Sequence, residues 1–200
     1  APATLWAEKN GGTVWISTCT RTLQHQIADE LTRPSPEAAT RASKVGVRRG
    51  RATSLRLLHL EEALAQMPGR PRHATALGLM ARWTGATRDG DLTGASFPAW
   101  LLDLLGRGQT IGLADRRGEC IHAACPHYNR CFVEKSIRGA KRADIVGTNH
   151  ALVMVQAAYG NKGDRRTPTR YVFDEGHHVF DVADSAFSAY LSGREAAELR

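Results

Sequence analysis

With 27 Lys and Arg against 20 Asp and Glu in 200 residues, the chain carries a net charge of +7. That excess favours an anionic partner, nucleic acid first, because each cation seated on a phosphate releases condensed counterions. The composition, 42% apolar and 24% charged, is that of an ordinary globular protein long enough to bury a core, and no apolar run is long enough for a membrane span. The opening "APATLWAEKNGG" has neither the charged start and apolar stretch of a signal peptide nor an initiator Met, so a cytoplasmic piece of a longer chain is expected.

In chain order, "GGTVWISTCT" predicts a short β-strand from Thr13 to Ser17 behind a glycine turn. "RTLQHQIADELTR" spaces Leu23, Ile27 and Leu31 four apart, a helical stripe over 21–33 that Pro34 and Pro36 stop. A basic, strand-like piece follows at 44–49, and "SLRLLHLEEALAQM" (54–67) predicts an amphipathic helix ended by "PGRP". Residues 68–119 are rich in Gly, Arg and Thr and weakly periodic, so an insertion with much loop is expected, with one helix at 97–105. After the cysteines come a helix over 131–142, a short strand at 144–147, a helix over 149–160, the buried strand "RYVF" and a helix starting near 178. Alternation of strands and helices at both ends predicts an α/β layer with a parallel sheet. Ligands of such sheets sit beyond the carboxyl ends of the strands, which is where "STCT" and "DEGHH" fall.

The apolar run Tyr171-Val172-Phe173 ends on Asp174, Glu175, Gly176, His177 and His178. Adjacent carboxylates at a strand tip suit magnesium, which takes hard oxygen ligands and keeps several waters. One carboxylate can hold the ion, and the next can orient or deprotonate the water that attacks a γ-phosphate. Gly176 offers a tight turn, and His177 offers a sensor or relay beside the phosphate. The other reading is a solvated junction whose acids favour a helix N-terminus. Basic residues cluster in "RASKVGVRRGR" (41–51) and "EKSIRGAKR" (134–142). Three of the four cysteines, Cys120, Cys125 and Cys131, lie within twelve residues, and Cys19 lies apart. With no secretory context they read better as metal ligands than as disulfides.

"DEGH" behind four apolar or aromatic positions resembles motif II, the DEAH box, of superfamily 2 helicases, and "HVFDVADSAFS" beyond it resembles the DinG branch of the XPD-like helicases. "ISTCTRTLQHQI" is similar to that family's motif Ia, "DIVGTNHALV" to its Asn-His segment ahead of motif II, and "CIHAACPHYNRC" to the last three ligands of its iron–sulfur domain. The resemblance runs in order through nearly the whole chain. It implies a partial RecA-like P-loop NTPase domain with an inserted, mainly helical, cysteine-containing subdomain: motor domain at 1–47, FeS-like insertion at 48–140, motor domain again at 141–200. It implies an ATP-dependent DNA helicase acting 5′ to 3′ on single-stranded or forked DNA, in DNA repair, with ATP and Mg²⁺ as cofactors. Asp174 and Glu175 would bind the nucleotide-bound ion and, with His177, form the catalytic set. Thr18, Thr20 and Gln24 would meet the DNA backbone, unless Ser17, Thr18 or Thr20 only caps a helix near Arg21. Arg48, Arg49, Arg51, Arg138, Lys141 and Arg142 would line the DNA path, with Trp83 or Tyr128 for stacking or for simple packing.

Two departures from the family stand out. Its first cluster ligand lies in a Gly-Arg-x-Asn-Tyr-Leu-Cys-like segment, and the matching stretch here, "GRATSLR" (50–56), has Arg56 in place of the cysteine. A [4Fe–4S] cluster on Cys120, Cys125 and Cys131 with a non-protein or His ligand, a zinc site completed by His122 or His127, and an empty site with free thiols all stay open. No Gly-x-x-x-x-Gly-Lys-[Ser/Thr] loop occurs either. Alone, then, the chain is expected not to hydrolyse ATP. The rival class is a non-catalytic, metal-stabilised nucleic-acid-binding module or a degenerate helicase remnant.

Overall fold

Strand β1 (Val14–Thr18) carries β-branched and aromatic residues and has a parallel neighbour on each edge, and its side chains Val14, Trp15, Ser17 and Thr18, on both faces, are buried. The computed structural model describes residues 2–10, 12–20, 45–69, 71–94, 111–115, 119–159 and 170–188, with isolated positions between. Helix α1 (Pro2–Asn10) precedes β1. Proline fits its first turn because the missing N–H has no partner there anyway. Gly12, at φ 118, makes the turn into the strand that a side chain would resist.

Among the described residues the sheet has four strands in the order β2-β3-β1-β4, with β2 at Val45–Val47, β3 at Ile145–Asn149 and β4 at Arg170–Phe173. Every pairing is parallel. Helix α5 (His150–Tyr159) follows β3 directly, capped by the Asn149 side chain accepting the Leu152 N–H at 2.9 Å. Helix α6 (Val179–Phe187) follows β4 through a short 3-10 turn and packs on α5. β4 is not the buried strand expected from "RYVF". Tyr171, Val172 and Phe173 keep 41%, 45% and 39% of their surface. Among the described residues it is an edge strand with only β1 beside it, and apolar content alone does not reveal an edge.

Between Val47 and Ile145 the chain leaves the sheet and builds a second core. Helices α2 (Leu57–Ala65) and α3 (Ala74–Ala86) belong to it, and α4 (Phe132–Ala140) joins the two layers, with Phe132 in the second core and Ala140 in that of the sheet. Leu55, Leu60, Leu77, Met80, Leu92 and Phe132 are its buried centre, whereas Trp15, Val146 and Val153 core the sheet layer. Helix α3 was expected to be loop. Its buried face, Ala76, Leu77 and Met80, has the helical i, i+1, i+4 spacing, which Gly78, Gly85 and two threonines dilute. Trp83 extends that face and meets the Phe97 ring edge-on at 4.9 Å, so it packs rather than presenting a free stacking surface. The expected helices at 21–33 and 97–105 fall almost wholly outside the described residues.

Two glycines hold close approaches. At Gly46 a Cβ would stand 3.0 Å from the Ala143 Cβ, so β2 can lie against the turn after α4. Gly90 has φ +63, and a Cβ there would fall into the Phe132 ring. Gly90→Ala combines left-handed strain with overpacking and is expected to lower stability by roughly 2–4 kcal/mol, read as a fall in the denaturation midpoint. Among the described residues no helix is long and apolar enough to cross a membrane.

Candidate functional site

β1 and β4 end side by side. Ser17 stands opposite Phe173 in the register, and the next N–H on β4, that of Asp174, donates to the Ser17 carbonyl at 2.8 Å. The polar turn after β1 and the acidic pair after β4 therefore share one rim of the sheet. His150, at the head of α5, joins them. Its Nδ1 lies 2.6 Å from Ser17 Oγ and its Nε2 lies 3.0 Å from the Asp174 carbonyl oxygen. A carbonyl only accepts, so Nε2 carries the proton and Nδ1 accepts from the serine hydroxyl. Burial, the largest influence on the ring, holds the His150 pKa below its ordinary value of 6.5 and so favours the neutral form this pattern needs. Three strand ends are thus pinned by one imidazole. The sequence offered only the Asn-His pair after a strand as a signal.

Asp174 and Glu175 are exposed at the tip of β4. The tight turn falls on Glu175, which is left-handed at φ 53, ψ 48, and not on Gly176. A non-glycine residue held there costs about 1–2 kcal/mol. Its carboxylate Oε2 lies 3.4 Å from His177 Nδ1, with both side chains largely in solvent. The His177 and His178 rings stand 4.0 Å apart. Adjacent, solvent-facing carboxylates on a rigid strand end are the donor set magnesium prefers.

The other site residues named above are distributed as follows. Thr18 is buried and its hydroxyl donates to the Thr20 carbonyl at 2.9 Å, while Thr20 Oγ1 accepts the Leu23 N–H at 3.3 Å, the capping geometry. Gln24 lies outside the described residues. Arg48 is largely buried against the Arg49 carbonyl, and burial and the neighbouring Arg51 bring its pKa down to about 10, with Glu134 opposing. Arg49 pairs with Asp89 at 3.1 Å. Arg138 bonds the Asn129 carbonyl at 3.0 Å and lies over the Tyr128 ring. Lys141 and Arg142 are exposed in the turn that leads into β3. Cys120, Cys125 and Cys131 border one small cavity with Arg56, Asp115 and Glu134. Among the described residues, however, no three His, Cys, Asp or Glu side chains converge closely enough to hold a metal ion.

No family model matches the chain. Curated relatives do. It aligns over 204 residues and its full length, at 28% identity, with the ATP-dependent DNA helicase YoaA of Haemophilus influenzae, covering 30% of that protein. With the Escherichia coli YoaA helicase the figures are 28% over 195 residues, 93% of this chain and 29% of the relative. With the ATP-dependent helicase DinG of Mycobacterium tuberculosis they are 27% over 214 residues, 96% and 31%. The chain spans about a third of the length of these relatives.

Proposed function

By sequence the chain belongs with the DinG-type helicases, and from that premise we propose that it is part of the first motor domain of an ATP-dependent DNA helicase. The observation that carries the reading is the shared rim, where Ser17, His150 and Asp174 tie the turn after β1 to the acidic tip of β4. In such a motor Asp174 would hold the magnesium ion, which when bound supplies positive charge against the phosphate oxygens. Glu175 accepts a proton from the attacking water as its oxygen bonds to the γ-phosphorus and the bond to the bridging oxygen of ADP breaks. His177, beside Glu175, orients that carboxylate.

DNA in this reading meets Arg48, Arg49 and Thr20 near the carboxyl ends of β2 and β1, with Gln24 as a further contact, and Arg138, Lys141 and Arg142 on the stretch that leads into β3. Thr18 is buried with its hydroxyl committed to its own turn, so in this reading it shapes the turn that presents Thr20 and does not itself touch the DNA. Arg51 holds carboxylates in the insertion, so its part is structural support.

The test uses the full-length protein. ATP hydrolysis stimulated by single-stranded DNA, and separation of forked duplexes bearing a 5′ tail but not a 3′ tail, are the expected results. Binding without ATP-dependent separation would instead favour the non-catalytic module. Lys141→Glu with Arg142→Glu is expected to weaken single-strand binding about tenfold at moderate salt, and to lessen the slope of log affinity against log salt by roughly 1–1.5. Fluorescence anisotropy titrations at several salt concentrations read both.

A further inference from the structure

We propose that the cysteine-bearing insertion of this chain is metal-free, held by an arginine–carboxylate network in the place where a metal centre would otherwise be ligated. A [4Fe–4S] cluster needs four ligands. Arg56, at the position of the missing cysteine, borders the same cavity as the three cysteines, and a guanidinium has five N–H donors and no lone pair to give a metal.

Arg56 is built into the fold. The extended piece that delivers it is clamped on both sides, with Ser54 bridged to Asp91 and Leu55 to Ala114. The Leu55 N–H donates to the Gly90 carbonyl at 2.8 Å, and that of Arg56 to the Leu113 carbonyl at 2.9 Å. This register sets the Arg56 side chain, only 12% exposed, beside Asp115. Its Nη1 lies 3.5 Å from Asp115 Oδ1 and 3.6 Å from Glu119 Oε2, and its Nη2 donates to the Glu119 carbonyl.

A second arginine approaches from the other side. Arg51 Nη1 lies 3.2 Å from Asp115 Oδ2 and 2.9 Å from Cys120 Sγ, and its Nη2 lies 3.6 Å from Glu134 Oε1. Asp115, buried, therefore takes one arginine on each carboxylate oxygen. The sulfur of Cys120 is occupied by a cation, where a ligand to iron would face the metal. The cavity left among the cysteines is about 30 Å³, room for one or two waters, whereas a cluster contributes eight heavy atoms. Zinc fares no better. His127 Nε2 is engaged by Glu61 at 2.8 Å. His122 borders the same cavity as the cysteines, but among the described residues it does not converge with them closely enough to complete a metal site. The donors present do not fit a resident metal, and the charges present are already paired.

The test does not depend on the motor reading, since its readouts are metal content and unfolding. Full-length protein produced with ample iron, sulfide and zinc and purified without oxygen is analysed for all three and for absorbance near 400 nm. Below about a tenth of an equivalent of metal, no absorbance band and an unfolding midpoint unmoved by chelator are expected. Half an equivalent or more of iron or zinc overturns the proposal. Asp115→Asn is expected to lower the midpoint by about 5 °C or more, since it leaves two arginines facing a neutral partner. An unchanged midpoint overturns the network's structural role. Arg56→Cys restores a fourth thiol and is expected to yield brown protein. If it stays colourless and iron-free, the proposal that Arg56 stands in the place of a metal ligand is overturned.

Discussion

Glu175→Gln in the full-length protein is expected to cut ATP turnover by two to four orders of magnitude while single-strand DNA affinity stays within a factor of two. The amide keeps the shape of the side chain and cannot take a proton, so what is lost is the general base, an effect of that size in comparable sites. Asp174→Asn acts differently. It weakens the hold on the nucleotide-bound ion, so KM for ATP rises together with the fall in kcat. Steady-state hydrolysis with DNA saturating separates the two. Glu175→Gly adds a check from the backbone. Glycine is at ease at φ 53, so this variant should be as stable as the parent or more stable by up to about 1 kcal/mol, and still inactive. Equal activity in all three variants would remove the acidic tip from the chemistry.

The second large effect concerns His150. Replacing it by phenylalanine keeps much of the buried volume and strands the Ser17 hydroxyl and the Asp174 carbonyl, both paired to the ring now. The buried serine hydroxyl without a partner costs about 1–3 kcal/mol, and the part-buried carbonyl, which water can reach, costs less. His150→Ala adds a cavity and should cost more. The pH dependence follows from the depressed pKa. The folded ring binds its proton less tightly than the unfolded one, whose pKa is near 6.5, so the unfolded chain gains the extra proton first. This group's contribution is complete above 6.5 and is lost as the pH falls below it, with a slope of at most about 1.4 kcal/mol per pH unit. Denaturant melts of the parent and His150→Phe between pH 5 and 8 should differ in that slope. Identical profiles would mean the ring is not neutral in the fold.

Local pattern was enough to find the elements that hold the rim. The runs Val14–Thr18, Ile145–Asn149 and Arg170–Phe173 are short, β-branched or aromatic and bounded by turn residues, and each is a strand. The polar ends after the first and last are legible for the same reason, because an apolar strand has no use for Asp174 and Glu175. What was not legible depends on residues far apart in the chain. That β4 is an edge follows from which strand pairs with which, and the left-handed turn falls on Glu175 although a glycine stands next to it. The pairing of Ser17 with His150 spans 133 positions, and Asp115 meets Arg51 and Arg56 across about sixty. "GRATSLR" reveals the missing cysteine but not what Arg56 does instead. Helix α3 was hidden by its own glycines, although its buried stripe was present.

The open flank of β4 has a colloidal consequence. Among the described residues β4 has a neighbour on one side only, and such a strand offers its other row of amides and carbonyls as a template; here the side chains on both faces are bulky and exposed. A charge of +7 sets copies of this chain against one another, and dissolved salt screens that repulsion. Added electrolyte should thus drive clumping of the isolated chain, and a lysine in place of Val172 should keep it dispersed.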